Sequence, residues 1–156
     1  MILYLDTSAL VKRYFAEPYT DEILLLWRQA TGIITSAVAY AESMAAFNRK
    51  KREVSLYEAV IRSVVSGFHK GWAGFIRVEV TADLNRHIDR LVDRYSLRGF
   101  DTIHLASSIL VHERLAGDLI FACFDQKLLL AAQSEGLKTF PILPIKAGRR
   151  FDFCLF

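Results

Sequence analysis

Cysteine, proline and glycine are all scarce in this sequence, and their scarcity excludes several kinds of protein. The 156 residues include 2 cysteines, 3 prolines and 8 glycines. Cys123 and Cys154 are too few for a disulfide framework and lack the spacing of a zinc site. No linker, internal repeat or low-complexity segment is visible. One domain is therefore expected, and a chain of this length buries roughly 70% of its unfolded surface on folding.

A long apolar run and a strong charge of one sign are also missing. The best apolar stretch, from Asp118 to Phe124, is the size of a strand, whereas a membrane-spanning helix needs about 20 residues. No basic segment precedes Asp6, so we expect no signal peptide, no membrane partner and a cytoplasmic location. The net charge of +3 alone indicates no particular partner, and the 53% hydrophobic content excludes a disordered chain.

Strand-like apolar segments alternate with helical segments along the chain. Strands are predicted over residues 2–5, 33–36, 75–80, 119–124 and 138–142. Helices are predicted over residues 7–15, 20–30, 38–51, 55–71 (with Ser55 as its cap), 82–95, 101–115 and 125–135. This alternation predicts an α/β fold whose mainly parallel sheet is covered by helices on both faces. The domain is expected over residues 1–145, and residues 146–156 are expected to form a tail docked on the domain or its partner.

Three aspartates stand where a strand or loop gives way to a helix: Asp6, Asp101 and Asp125. Each of them can simply cap its helix, because aspartate is a favoured N-cap. In a parallel sheet, however, the carboxyl ends of all strands lie at one edge, where ligands bind. Asp6 and Asp125 follow predicted strands and are expected at that edge. Asp101 reaches it if its helix packs beside the first strand.

Glu42 is the fourth candidate acid, and it lies inside a predicted helix. The helix places apolar residues around it: Val38, Ala41, Ala45 and Ala46. We therefore expect Glu42 on an alanine-rich, closely packed face, where no basic residue three or four positions away can pair with it. The alternative is a glutamate at the edge of the helix that faces water.

Four carboxylates in one cleft repel one another unless a cation joins them. Oxygen ligands without cysteine or histidine favour Mg²⁺ or Mn²⁺, and such an ion can activate water for attack on a phosphodiester. This chemistry needs no protein nucleophile. Thr7 and Ser8, directly after Asp6, are candidates to contact a ligand carboxylate or the substrate, although helix capping explains them equally well.

Four segments of the chain also form a recognisable pattern. They are YLDTSAL at 4–10, SAVAYAE at 36–42, LRGFDTIHLA at 97–106, and FDQKL at 124–128 followed by Ala131 and Ala132. In this order and at these distances they resemble the PIN-domain nucleases, in particular the VapC toxins of type II toxin–antitoxin modules. The resemblance runs from Met1 to about Ile142.

The resemblance implies a three-layer, PIN-like α/β/α sandwich and a metal-dependent endoribonuclease that binds Mg²⁺ or Mn²⁺ and hydrolyses RNA. Asp6, Glu42, Asp101 and Asp125 match the acids of the family by position. Asp6 and Asp101 would be direct metal ligands, and Asp125 and Glu42 would complete the site or orient its water. The resemblance further implies a homodimer and a VapB-like antitoxin partner. Cys123 stands where the family often has threonine or serine, which predicts a weakened hydrogen bond.

Other interpretations remain open at this stage. A PIN-like fold can serve as a non-catalytic RNA-binding or protein-interaction module. Receiver domains and haloacid-dehalogenase-like phosphatases share the acidic edge, but they need a second acid beside the first, where this chain has Thr7 and Ser8.

Histidine and basic residues near these motifs also allow two readings. His104 is expected to be a hydrogen-bonded structural residue rather than a general base. The basic run at 49–52 either contacts phosphates or forms a solvated helix end. If the four candidate acids form one pocket, the rest of the chain keeps all 20 basic residues and is distinctly basic, as suits an RNA-cleaving protein.

Overall fold

A five-stranded parallel sheet forms the centre of the fold in the computed structural model, which describes residues 1–53, 58–115 and 117–142. The strands are β1 (Ile2–Leu5), β2 (Gly32–Ser36), β3 (Ile76–Val78), β4 (Leu119–Ala122) and β5 (Lys138–Phe140). Their spatial order is β3-β2-β1-β4-β5, and every neighbouring pair is parallel. All five carboxyl ends therefore lie at one edge, with β1 at its centre.

The helices occupy the segments between the strands. They are α1 (Thr7–Leu10), α2 (Thr20–Gln29), α3 (Ala39–Glu53), α4 (Glu58–Trp72), α5 (Asn85–Tyr95), α6 (Gly99–Arg114) and α7 (Gln126–Ser134). The predicted helix over residues 7–15 is shorter, because it tightens into a 3-10 turn at Val11–Arg13. The predicted cap Ser55 and the tail over residues 146–156 lie outside the described residues.

Each face of the sheet carries its own apolar core, because successive strand residues point to opposite faces. In β1, Leu3 and Leu5 belong to the core that includes Phe47 of α3. Tyr4, between them, belongs to the core that includes Leu105 of α6. Helices thus cover both faces, and the predicted α/β/α sandwich is confirmed. Within the described residues, no helix is both long enough and apolar enough to cross a membrane.

Candidate active site

Asp6 and Asp125 lie at the carboxyl edge of the sheet, after the neighbouring strands β1 and β4. Asp6 directly follows β1, and its N–H donates to the carbonyl of Ala122, the last residue of β4, at 3.0 Å. Asp125 follows β4 and begins α7, where its Oδ1 accepts the N–H of Leu128 at 2.9 Å. Both aspartates also cap helices, so capping and placement at the edge are properties of the same residues.

Ser8 fixes the orientation of the Asp6 carboxylate. The Oδ2 atom of Asp6 accepts both the Ser8 N–H at 3.0 Å and the Ser8 hydroxyl at 2.6 Å. The same hydroxyl oxygen accepts the Phe124 N–H at 2.8 Å, so Ser8 joins the ends of β1 and β4. Asp6 is only 5% exposed, and its Oδ1 lies 3.5 Å from Nε2 of His104. Ser8 therefore holds one oxygen of Asp6 and leaves the other turned toward the cluster.

Glu42 reaches the same cluster from α3, but its surroundings differ from those predicted. Ala41 and Ala45 are exposed, whereas Ala39 and Phe47 pack against the core. The prediction of a closely packed alanine face is therefore wrong, because the large apolar contact of Phe47 sets the rotation of the helix. Glu42 itself is half-buried, and its Oε2 accepts the Thr7 hydroxyl at 2.8 Å.

His104 is the hydrogen-bond partner of Glu42 that the sequence did not reveal. It is completely buried in α6, and its Nε2 lies 2.8 Å from Oε2 of Glu42. Because a carboxylate only accepts hydrogen bonds, Nε2 carries the proton of this bond. The expectation of a hydrogen-bonded structural histidine agrees with this geometry, and Tyr4 Oη lies 3.2 Å from the other ring nitrogen.

The charges of His104 and Glu42 stabilise each other. Burial acts to lower the pKa of His104, but the carboxylates of Asp6, Glu42 and Asp101 raise it above its usual range. Burial acts to raise the pKa of Glu42, but the hydrogen bonds from His104 and Thr7 lower it below its usual range. Both shifts favour the charged form of the pair.

Asp101 completes the cluster from the first turn of α6. It is half-buried, and it accepts no hydrogen bond and forms no ion pair within the described part of the chain. Burial and the nearby charges of Asp125, Asp6 and Glu42 raise its pKa. The structure thus brings all four predicted acids into one electrostatic cluster.

Cys123 lies beneath this cluster. Its Sγ accepts the Asp125 N–H at 3.3 Å, and the Ser8 hydroxyl lies 3.9 Å away. Burial raises the pKa of the thiol far above its usual range, so the group stays neutral. Sulfur is a weak acceptor, and the predicted weakening of a hydrogen bond at this position stays a prediction.

The carboxylate oxygens of the cluster are the kind of donor atom that a hard divalent cation prefers. Among residues 1–53, 58–115 and 117–142, no three acidic, histidine or cysteine side chains converge closely enough to hold an ion as they stand. Mg²⁺ needs no such cage, because it keeps several waters and uses one or two carboxylates directly. The unpartnered carboxylate of Asp101, beside Asp6 and Asp125, fits that requirement.

Comparison with known proteins gives consistent results. The PIN domain family model matches residues 3–133. Ribonuclease VapC45 of Mycobacterium tuberculosis is 31% identical over 142 residues, which cover 90% of this chain and 95% of the relative.

Two solved structures share the fold at low sequence identity. FitAcB from Neisseria gonorrhoeae gives a TM-score of 0.63 at 14% identity and covers 90% of this chain and 96% of its own. VapBC2 from Rickettsia felis, bound to a DNA fragment from its promoter, gives a TM-score of 0.58 at 16% identity, with coverages of 89% and 97%.

Proposed function

This chain belongs to the PIN-domain family and to its VapC branch, and from that membership we propose that it is a metal-dependent endoribonuclease. In this proposal it is the toxin of a type II toxin–antitoxin pair. The substrate is RNA, and the products arise by hydrolysis of a phosphodiester bond.

The observation that carries the proposal is the unpartnered carboxylate of Asp101 among three other acids. A partly buried charge is costly when no cation or hydrogen-bond donor contacts it directly. Burial and the nearby carboxylates of Asp125, Asp6 and Glu42 raise the pKa of Asp101 against the attraction of Arg98. Such perturbed groups gathered at a sheet edge are typical of functional sites.

The residues of the cluster would divide the work between holding a metal ion and fixing one another. Asp6 and Asp101 would hold Mg²⁺ or Mn²⁺ directly, and Asp125 would complete the site. The ion, when bound, would activate a water and neutralise charge on the phosphodiester. Ser8 keeps Oδ2 of Asp6 occupied, so that Oδ1 stays turned toward the cluster. The Leu128 N–H fixes Asp125 through its Oδ1.

Glu42 and His104 would act on the attacking water and on the charge balance. The lowered pKa of Glu42, held down by His104 and Thr7 against its burial, keeps it ionised and able to accept a hydrogen bond from water. His104 is the buried cation that limits repulsion among the acids. Thr7 donates to Glu42 and fixes its position.

The partners follow from the same proposal. The printed names of two structural neighbours, VapBC2 and FitAcB, describe protein pairs, which supports an antitoxin partner of the VapB type for this chain. A homodimer and a location in the cytoplasm belong to the proposal as family properties. The basic remainder of the chain would attract RNA.

Incubation of the purified protein with mixed RNA and Mn²⁺, with and without chelator, tests the proposal. We expect cleavage that chelator abolishes and that Asp101→Asn lowers by more than about 100-fold, beyond the usual cost of removing an outer contact. Asp118→Asn is the matched control, because Asp118 precedes the same β4 strand that Asp125 follows. Its cleavage rate should equal that of the wild type.

The opposite result would favour the alternative function. RNA that binds the wild type but stays intact in Mn²⁺ would contradict the nuclease. It would instead support a non-catalytic RNA-binding module on the same fold.

A further inference from the structure

The start of α6 lies beside the acid cluster but outside the apolar core. Further along the helix, residues 104–110 are all buried. Arg98, Gly99 and Phe100, which directly precede Asp101, are instead exposed. We call these three residues the rim segment. A Cβ atom built on Gly99 would meet nothing within 4 Å beyond its own helix backbone and chain neighbours, so the rim segment borders open space.

Phe100 exposes an aromatic ring to solvent. The residue is 52% exposed and belongs to neither apolar core. Tyr19 is exposed to a similar degree, but its ring packs on the ring of Phe124. The exposed ring of Tyr40 packs in the same way on that of Trp72. Within the described part of the chain, the ring of Phe100 contacts no other aromatic ring, so it has surface available for a further contact.

The position of Phe100 places this surface at the mouth of the acid cluster. Phe100 lies one helical turn before His104, so the two side chains project from the same side of α6. Nε2 of His104 lies 2.8 Å from Glu42 and 3.5 Å from Asp6, so this side of the helix faces the acids. Phe100 stands about 6 Å further toward the exposed end of the helix. A substrate that reaches Asp101 therefore passes beside the Phe100 ring.

Arg98 adds a positive charge to the rim segment. Its side chain is exposed, and in the residues that the structure describes it forms no ion pair and donates no hydrogen bond. Its charge acts to lower the pKa of Asp101, against the opposite effect of burial and of the neighbouring carboxylates. Arg98 is thus close enough to the cluster to influence it, and its guanidinium remains available to the oxygen of a phosphate.

An exposed aromatic ring with a neighbouring cation is a combination that binds single nucleotides. Every base has a flat face that can stack on an aromatic side chain, and a cation beside it holds the sugar–phosphate backbone. An apolar peptide could also cover the ring, but it would make no use of Arg98. RNA uses both residues, and its scissile phosphate has to approach the acids directly beside them.

We propose that Phe100 stacks on the base of a nucleotide that adjoins the scissile bond, and that Arg98 contacts a phosphate beside that base. This inference rests on the proposed ribonuclease function and adds to it a substrate contact outside the acid cluster.

Two substitutions of Phe100 separate the aromatic ring from apolar bulk. Phe100→Leu keeps an apolar side chain but removes the ring, whereas Phe100→Trp keeps a ring. We expect Phe100→Leu to raise the KM for RNA about tenfold, more than it lowers kcat, and Phe100→Trp to recover most of this loss. Mn²⁺ should raise the Tm of Phe100→Leu as much as that of the wild type, which shows that the variant is folded and that its acids are intact.

RNA that lacks one base locates the stacking contact. A single abasic nucleotide is placed at successive positions around the bond that the wild type cleaves. At one flanking position it should raise the KM of the wild type about tenfold. The same abasic RNA should have little further effect on Phe100→Leu, because the stacking contact is already lost.

Arg98→Gln tests the phosphate contact, with Arg28→Gln as its charge-matched control. Arg28 is exposed in the last turn of α2, just before β2 begins, so it lies toward the opposite edge of the sheet. We expect Arg98→Gln to weaken the binding of a fluorescent RNA in chelator and to reduce its slope of log affinity against log salt by about 1. Arg28→Gln should keep the slope of the wild type.

The outcomes that overturn the inference differ from those that overturn its premise. An unchanged KM in Phe100→Leu, or an abasic penalty that persists in full in this variant, would overturn the stacking contact. Equal salt slopes for the two arginine variants would overturn the phosphate contact. Normal cleavage with lost neutralisation by an antitoxin would assign the rim segment to a protein partner instead. A wild type that cleaves no RNA in Mn²⁺ would contradict the proposed function itself.

Discussion

The two ends of β4 carry aspartates in opposite electrostatic situations. Asp118, before the strand, is exposed and paired with Lys138, which lowers its pKa. At the carboxyl end, Asp125 lies near Asp101, whose pKa is raised by burial and by its acidic neighbours. The negative charge of aspartate is thus paired with a cation at one end of β4, whereas at the other end several carboxylates lie close together.

The difference between the two ends of β4 distinguishes a surface charge that aids solubility from charges that we propose to be functional. An exposed, paired carboxylate such as Asp118 costs the fold little and contributes little. The carboxylates at the carboxyl end repel one another, and the buried side chain that contacts Asp6 and Glu42 is His104, whose pKa they raise. The divalent cation that we propose for this cluster would relieve the repulsion among its carboxylates.

Removal of His104 should give the largest stability effect, because it takes the internal cation from the cluster. We expect His104→Gln to lower the free energy of unfolding by roughly 1–3 kcal/mol, since Glu42 loses a charge-assisted hydrogen bond in a partly buried site. Urea unfolding measures this value. His112→Gln, at an exposed position of the same helix, should stay within about 0.5 kcal/mol of the wild type. Equal losses of unfolding free energy in the two variants would contradict a specific role of His104 in the acid cluster.

Glu135 offers a smaller effect with a defined pH dependence. It pairs with Arg90 at 2.6 Å and accepts the Tyr95 hydroxyl at 2.7 Å, and the hydrogen bond from Arg90 lowers its pKa below the usual range despite burial. The stability from this group is present above the unfolded pKa and is lost as pH falls through the lower folded pKa. Glu135→Gln should therefore cost about 0.5–1 kcal/mol near neutral pH, and the difference should vanish in acid.

Asp101 should show the opposite sign in the same measurement. Its pKa is raised, so its favourable contribution exists below the unfolded pKa and is lost as pH rises through the folded pKa. In chelator, Asp101→Asn should become more stable relative to the wild type as pH rises. If the unfolding free energies of the Glu135 and Asp101 variants changed with pH in the same direction relative to the wild type, the contrast between a paired acid and a clustered acid would be contradicted.

Local patterns in the sequence predict most of this fold. Short apolar runs ending at Asp6 and near Asp125 mark parallel strands, and parallel strands place both residues at one edge. The ends of strands and the caps of helices depend on residues that are close in sequence, so they can be predicted from it. The shortened first helix shows the limit, since its last turn at Val11–Arg13 tightens to 3-10 geometry.

Contacts between distant segments could not be predicted. His104 and Glu42 are 62 positions apart, so a search for partners three or four positions from Glu42 could not find the histidine. Phe47 of α3 packs edge-to-face against Phe68 of α4, 21 positions away, and local sequence patterns do not reveal such a contact. The ion pairs of Glu17 likewise join Lys12 to Lys50 of α3.

Binding of Mn²⁺ to the acid cluster tests the central claim most directly, because it requires no RNA. A ligand that binds only the folded state raises the melting temperature with its concentration. We predict that Mn²⁺ raises the Tm of the wild type and of Asp118→Asn equally, and that Asp101→Asn loses most of this shift. The same Tm shift in all three proteins, or none in the wild type, would contradict a cation site at the carboxyl end of the sheet.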